Sequence, residues 1–223
     1  MRNKKQLFGL SKGLPLNVIS SSPGEPNRIA AEQFVHRCFE YHYQANVQHF
    51  MPILMSLCDE QDRLQAVLGF RHAEQTPLFL ETYLDSPAEQ MIAKQINQPV
   101  DRSTLVEVGN LTAANTGIGR WLFIALTAYL STTHCEWVLF TVGPILQNAF
   151  RNLGFELIDL GEASIERLPE AERDAWGSYY AQKPRVMAGK LAQGHATLRS
   201  MCEKEVSMMN LWHRAVAVGR QAA

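Results

Sequence analysis

The chain has 223 residues, of which 46% are hydrophobic, 19% charged and 9% aromatic, a composition that can bury a sizeable core and excludes extensive disorder. Its 21 basic and 22 acidic side chains leave a net charge of -1. No global field therefore draws it to nucleic acid or anionic lipid, and any charged ligand has to be met locally. The four cysteines, Cys38, Cys58, Cys135 and Cys202, are too scattered for a zinc motif and read as free, mostly buried thiols. The basic start is followed by a segment broken at Gly9, Lys12, Gly13 and Pro15, unlike a secretory leader. Even the stretch from Trp121 to Leu130 falls short of the roughly 18 apolar residues of a membrane span. A cytoplasmic protein without a membrane span is expected.

Taken in chain order, Leu14 to Ile19 reads as a first strand, and Asn27 caps a helix in which Ala31, Phe34, Val35, Cys38 and Phe39 share one face. His49 to Leu57 reads as a short helix. Leu64 to Arg71 and Leu78 to Leu84 alternate as two antiparallel strands. Ser86-Pro-Ala-Glu89 supplies a cap, an N1 proline and an acid for the next helix. Thr104 to Thr112 is a strand, Arg120 to Thr132 an almost wholly apolar helix, and Trp137 to Val142 a strand buried on both faces. Pro144 opens a helix that Gly154 ends, and Phe155 to Leu160 returns as a strand. Beyond it lie a short helix after Leu168, an edge strand at Arg185 to Ala188, and a terminal amphipathic helix from Ser207 to Gly219. The order predicts an α/β (α+β) fold: one mixed sheet, an antiparallel meander followed by parallel strands, with helices on both faces. Residues 1–160 form its core and 161–223 an extension packed on it.

The sharpest chemical feature is the strand ending Glu107-Val-Gly-Asn-Leu-Thr112, followed by Ala113-Ala-Asn-Thr-Gly-Ile-Gly119 and a helix from Arg120. A glycine-bearing loop at a helix N-terminus leaves backbone N–H groups free for an anion such as phosphate; a plain strand–turn–helix connection is the alternative. Gly109 in mid-strand marks a bulge or a close approach by a ligand. Glu81 and Glu107 each fall in an apolar strand where burial would raise the carboxyl toward neutrality, which suits a general base; each could instead point to water or pair with Arg71 or Arg102. Asn110 could bond a ligand carbonyl, whereas Asn115 in a turn more often caps its own backbone. Tyr83, ahead of Tyr179 and Tyr180, offers a phenol to protonate a leaving thiolate. The seven histidines form no metal-ligand spacing and no triad, so no metal is expected.

The loop resembles the coenzyme A pyrophosphate loop of the GNAT superfamily of N-acetyltransferases, with its pattern Q/R-x-x-G-x-G/A. Positions 114 to 119 read Ala-Asn-Thr-Gly-Ile-Gly, matching both glycines and departing at Ala114. A closer resemblance, carried by Phe50-Met-Pro, Gly69-Phe-Arg71, Leu78-Phe-Leu-Glu-Thr-Tyr-Leu-Asp85, Val106-Glu-Val-Gly-Asn-Leu111, Leu153-Gly-Phe155 and Trp176-Gly-Ser-Tyr-Tyr180, is to the thermostable hemolysins, a group similar to acyl-homoserine-lactone synthases. Gly109-Asn110 stands where those synthases have Ser-Arg, and apolar Phe50 to Leu57 replaces their acidic segment. Use of S-adenosylmethionine is thus not implied.

The resemblance implies an N-acyltransferase that takes an acyl group from coenzyme A, or from an acyl carrier protein thioester, and delivers it to the amine of a small, amino acid-like acceptor. The donor would lie on Val108, Gly109, Asn110, Leu111, Asn115, Thr116, Gly117, Ile118, Gly119 and Arg120. Arg71 and Asn110 would meet the acceptor, and Glu107, Glu81 and Tyr83 would move protons. A homodimer is compatible with it. The rival readings are a membrane-active hemolysin docking through Met208 to Val218, and a GNAT-shaped binding module without activity.

Overall fold

The computed structural model describes residues 15–115 and 117–222. Residues 1–14, on which the leader reading and part of the first strand rest, lie outside them, as do Thr116 and Ala223. The elements in order are β1 (Asn17–Ser21), α1 (Arg28–Tyr43), β2 (Ile53–Cys58), β3 (Leu64–His72), α2 (Ala88–Ile96), β4 (Leu105–Ala113), α3 (Gly119–Leu130), β5 (Trp137–Val142), α4 (Pro144–Asn152), β6 (Leu157–Glu162), the one-turn α5 (Glu170–Arg173), β7 (Arg185–Lys190), α6 (Leu191–Cys202) and α7 (Val206–Ala222).

The strands form one seven-stranded sheet in the order β1-β2-β3-β4-β5-β7-β6. β1 to β4 are an antiparallel meander, and β5 runs parallel to β4. β7 is antiparallel to both β5 and β6, so β6 runs in the same direction as β4 and β5. The mixed sheet is thus the expected one, but the strand at Arg185 is not at its edge. It slots between β5 and β6, and residues beyond 160 supply a buried inner strand, with Val186 and Ala188 fully enclosed.

Period-two alternation divides the core into two layers. Met55, Leu57, Leu68, Phe70, Val106 and Val108 face α3, α6 and α7, whereas Leu105, Trp137, Leu139, Val186 and Ala188 face the α2 side. Leu54 and Val67 point to α1 on that second side. The apolar face of α7 is already covered: Met208, Leu211, Trp212 and Ala215 are buried in the core.

Two expected elements changed type. Ile53–Cys58 is a strand, not a helix, because its run is apolar on both faces and buried on both. Phe79–Tyr83 is a 3-10 turn, not a strand. Its opening N–H groups are taken by one carboxylate from outside the turn, Phe79 and Leu80 both donating to Glu107, so it has no need of a ladder. The cap of α2 also differs. Pro87 is the N-cap, and the N–H of Ala88 donates to Glu81 rather than to Ser86. Asn27 does precede α1, but its side chain makes no cap hydrogen bond.

Candidate functional site

The site begins where β4 and β5 part. Their pairing runs from Leu105↔Trp137 only to Val108↔Phe140, although β4 continues to Ala113 and β5 to Val142. The parting coincides with a bulge in β4: Val67 and Gly69 of β3 oppose Thr112 and Gly109, so β4 carries one extra residue. Asn110 adopts φ +50°, the left-handed region that asparagine tolerates, and its Oδ1 accepts from the Met51 N–H at 2.8 Å. Buried Arg28 holds the same segment, donating to the carbonyls of Met51 (2.7 Å) and Pro52 (3.0 Å).

Gly69 and Gly109 face each other in the register, and both make room for Met51. A Cβ at Gly69 would lie 2.5 Å from Met51 Cβ, and one at Gly109 would lie 2.6 Å from Met51 Cε. The close approach expected at Gly109 is therefore made by the protein's own Met51. The bulge also re-phases the strand: Glu107 shares the α2 side with Leu105, while Leu111 packs toward α3.

A cavity of about 370 Å³ opens at this fork. Gly109, Asn110 and Leu111 form one side of it and Thr141, Val142 and Gly143 the other, and a wall of rings closes the far end. Arg71 and Glu107 are the only Lys, Arg, Asp or Glu side chains that line it among the described residues. Glu107 is 3% exposed. Its Oε2 accepts from Phe79 N (2.8 Å) and lies 3.3 Å from Arg71 Nε, and its Oε1 accepts from Leu80 N (2.9 Å). Burial pushes its carboxyl up, and the Arg71 charge and the two amides oppose that shift without cancelling it. The result is a carboxylate displaced toward neutrality, with about one acceptor position still open on Oε1.

Glu81 sits differently. It does not line the cavity, and both of its oxygens are held by Arg102 at 2.7 and 2.9 Å, with Leu78 N and Ala88 N donating as well. Burial pushes it up, but the Arg102 hydrogen bond, the Ala88 amide and the Arg102 charge outweigh that and hold it below the ordinary glutamate value. The expected upward shift is reversed. A lowered folded value means a contribution to stability that is present at neutral pH and lost as pH falls through the folded value. The melting-point difference between wild type and Glu81→Gln should be largest at neutral pH and shrink below roughly pH 4, which thermal denaturation across pH checks.

Tyr83 lines the cavity, and its hydroxyl is joined to that of Tyr180 in a buried pair. Burial raises both phenols, Tyr180 to about 12 and Tyr83 further. Arg71 Nε also meets Met51 Sδ, and Arg71 Nη1 donates to the Pro77 carbonyl.

The glycine loop stands apart from this cavity. The N–H of Gly117 donates to Asn115 Oδ1 at 3.1 Å, so Asn115 closes its own turn. Ile118 is buried in the core beneath α3, and buried Arg120 lies over Trp121 at 5.6 Å. None of residues 115 and 117–120 lines the cavity; Gly119 begins α3 one turn from the end of β4.

The ring wall was not assigned from the sequence. Phe39 and Tyr43 come from α1, Phe79 from the 3-10 turn, and Trp176 and Tyr179 from the segment before β7. Trp176 stacks on Phe79 with centroids 5.9 Å apart and lies 5.5 Å from Tyr179, which meets Tyr43 edge-on at 5.4 Å. The signals in the sequence were separate: Phe39 on the apolar face of the first helix, Phe79 in Leu78-Phe-Leu-Glu-Thr-Tyr-Leu-Asp85, and Trp176 and Tyr179 in Trp176-Gly-Ser-Tyr-Tyr180.

The profile of the thermostable hemolysins matches residues 21–195, from β1 through the first turns of α6. The chain belongs to the thermostable hemolysin family. No curated protein matches its sequence. Among solved structures, a coenzyme A-dependent acyl-homoserine lactone synthase, BjaI, with SAM and isopentyl-CoA, superposes with a TM-score of 0.56 at 10% identity, covering 90% of this chain and 98% of its own. FeeM, an N-acyl amino acid synthase from uncultured soil microbes, gives 0.53 at 13% identity, with 82% and 94% covered. TofI in an apo form gives 0.53 at 14%, with 81% and 94%. The chain therefore has the α/β fold of those synthases, one mixed sheet with helices on both faces.

Proposed function

We propose that this protein transfers an acyl group from a coenzyme A or acyl carrier protein thioester to the amine of a small acceptor. The observation that carries the reading is the fork itself: β4 and β5 part at Val108 and Phe140, and the cavity that opens there has a buried carboxylate, Glu107, in its wall. Val108, Phe123 and Phe140, which line this cavity, also line a second, mostly apolar chamber on the opposite face, bounded by Leu126, Phe150, Phe155 and Gly194, with Thr127 and Lys190 on its wall. A thioester laid along the fork would have a polar arm on Gly109, Asn110 and Leu111, its carbonyl near Glu107, and its alkyl tail in that chamber. Two fold neighbours, a coenzyme A-dependent acyl-homoserine lactone synthase and an N-acyl amino acid synthase, support this reading.

The donor's diphosphate would reach the start of α3, where Gly117 and Gly119 stand at a helix N-terminus. Glu107 takes the proton of the attacking amine, the N–C bond forms, and collapse of the tetrahedral intermediate breaks the C–S bond. The thiol leaves with a proton from solvent. Tyr83, held neutral in its pair with Tyr180, serves as wall. The membrane-docking role weighed for residues 208–218 meets a helix whose apolar face is covered, and no helix among the described residues is long and apolar enough to cross a membrane.

The test is calorimetric titration with coenzyme A thioesters of increasing chain length, on wild type and Gly194→Leu. A Cβ at Gly194 would already lie 3.2 Å from Phe155, so leucine fills the chamber. Wild type should gain affinity with each added methylene, roughly fourfold at most, and the variant should lose that gain while still binding short thioesters. Failure of every thioester to bind wild type sinks the reading.

A further inference from the structure

The acceptor end of the cavity is defined by two charges and a set of rings. Five rings, Phe39, Tyr43, Phe79, Trp176 and Tyr179, form one connected cluster there, each 5.4 to 6.5 Å from a neighbour. Such a surface offers a broad apolar contact and edge-to-face partners, and solvates a negative charge poorly. Beside it stand Arg71 and Glu107, 3.3 Å apart.

The two charged groups have unequal reserves. A guanidinium carries five N–H donors. Arg71 uses Nε toward Met51 and Glu107 and one hydrogen of Nη1 toward Pro77, and its Nη2 has no partner among the described residues. That leaves about three donors, in the fork geometry that fits a carboxylate. Glu107 has three of its about four acceptor positions filled, leaving room for one donor such as an amine N–H. A cation alone would find one weakly open acceptor beside a guanidinium, and an anion alone would find the Glu107 charge next to its binding fork. A ligand that carries both charges on adjacent atoms satisfies both groups at once.

We infer that the acceptor is a free α-amino acid with a large uncharged side chain, aromatic or long aliphatic, whose carboxylate is held by Arg71, whose amino group faces Glu107, and whose side chain lies against the Trp176 ring wall. The inference rests on the acyl-transfer reading for its place in the reaction, and on the cavity alone for the binding. It assigns Arg71 to orienting the acceptor. It also fits a wall that, among the described residues, adds His49 but no further Lys, Arg, Asp or Glu: a glutamate side chain would bring a negative charge against ring faces that repel it, and a lysine ammonium would find no carboxylate besides Glu107.

The experiment is calorimetry with L-phenylalanine, L-leucine, L-glutamate, L-lysine and 2-phenylethylamine, with and without an octanoyl-coenzyme A thioether that cannot give up its acyl group. Phenylalanine and leucine should bind at least tenfold tighter than glutamate and lysine. Removing the carboxylate, as in 2-phenylethylamine, should cost at least tenfold relative to phenylalanine. In Arg71→Lys, which keeps the charge and loses the fork, phenylalanine should weaken toward 2-phenylethylamine while the latter changes little. Equal binding of 2-phenylethylamine and phenylalanine, tighter binding of glutamate or lysine, or no amino acid binding in either state would overturn the inference. Because thioester binding is read with a different ligand, those outcomes leave acyl transfer standing, whereas loss of thioester binding alone removes acyl transfer and leaves the amino acid site.

Discussion

Gly177→Ala should lower the melting temperature by roughly 10 °C and remove ligand binding at the ring wall. Gly177 has φ +50° and ψ -125°, a combination outside the regions open to L-residues. A Cβ there would lie 2.1 Å from the Tyr43 carbonyl oxygen and 2.7 Å from that of Gln44, both backbone atoms. The contact cannot relax by rotating a side chain. The same Tyr43 carbonyl accepts from Ser178 N at 2.8 Å and Ser178 Oγ at 3.1 Å, while Asn46 N donates to Ala175 O at 2.7 Å. These bonds stitch the Trp176–Tyr179 segment to the end of α1. Strain at a forbidden backbone conformation and overpacking each cost about 1–3 kcal/mol, and their sum of roughly 3 kcal/mol gives a shift of that size in a domain this large. Gly24→Ala is the control, since Gly24 also has positive φ, at +91°, but has nothing within 4 Å. It should show the conformational cost alone, near 1 kcal/mol. Equal melting points for the two variants would show that the Tyr43 contact does not matter.

How much of this was legible in the sequence follows from the range of the interactions involved. β5 and α4 were read with their observed first residues, because a buried apolar run between polar turns and a proline at N1 are local signals. The meander was misplaced, because Met51-Pro-Ile-Leu-Met-Ser-Leu-Cys58 is apolar without a period and fits helix or strand equally. Leu78 to Leu84 alternates like a strand, yet it is a 3-10 turn because Glu107, far along the chain, caps its amides. The slot of β7 between β5 and β6 is likewise a matter of pairing, which periodicity does not encode.

The site divides along the same line. Glu107, Gly109, Asn110 and Arg71 were singled out from one short strand and its neighbour in the sheet, and the structure brings them to one cavity. Glu81 looked equivalent to Glu107 by composition; its pairing with Arg102 and its place outside the cavity tell them apart. The ring wall draws on residues 39, 43, 79, 176 and 179, so no window of sequence contains it.

Glu107→Gln should reduce acyl-transfer turnover by about 10²–10⁴ while leaving most of the protein folded. The two effects need separating, because the carboxylate does two jobs. It caps Phe79 and Leu80, and an amide of the same shape presents one oxygen and one NH₂ to two backbone N–H groups. One of those amides loses its acceptor, at a cost of about 1–3 kcal/mol. Turnover is therefore compared per folded molecule, with thermal melting alongside. The pH profile supplies the independent reading. With its carboxyl raised by burial, Glu107 as base requires kcat/KM to rise through an apparent value above the ordinary glutamate range, and that limb should vanish in the variant. The stability profile should move the opposite way. A carboxyl raised in the folded state favours folding most below its unfolded value and loses that contribution as pH rises through the folded one, so the melting-point gap between wild type and variant should narrow from acid to neutral pH. A folded variant with normal turnover and an unchanged pH profile would leave Glu107 as the cap of the 3-10 turn and nothing more.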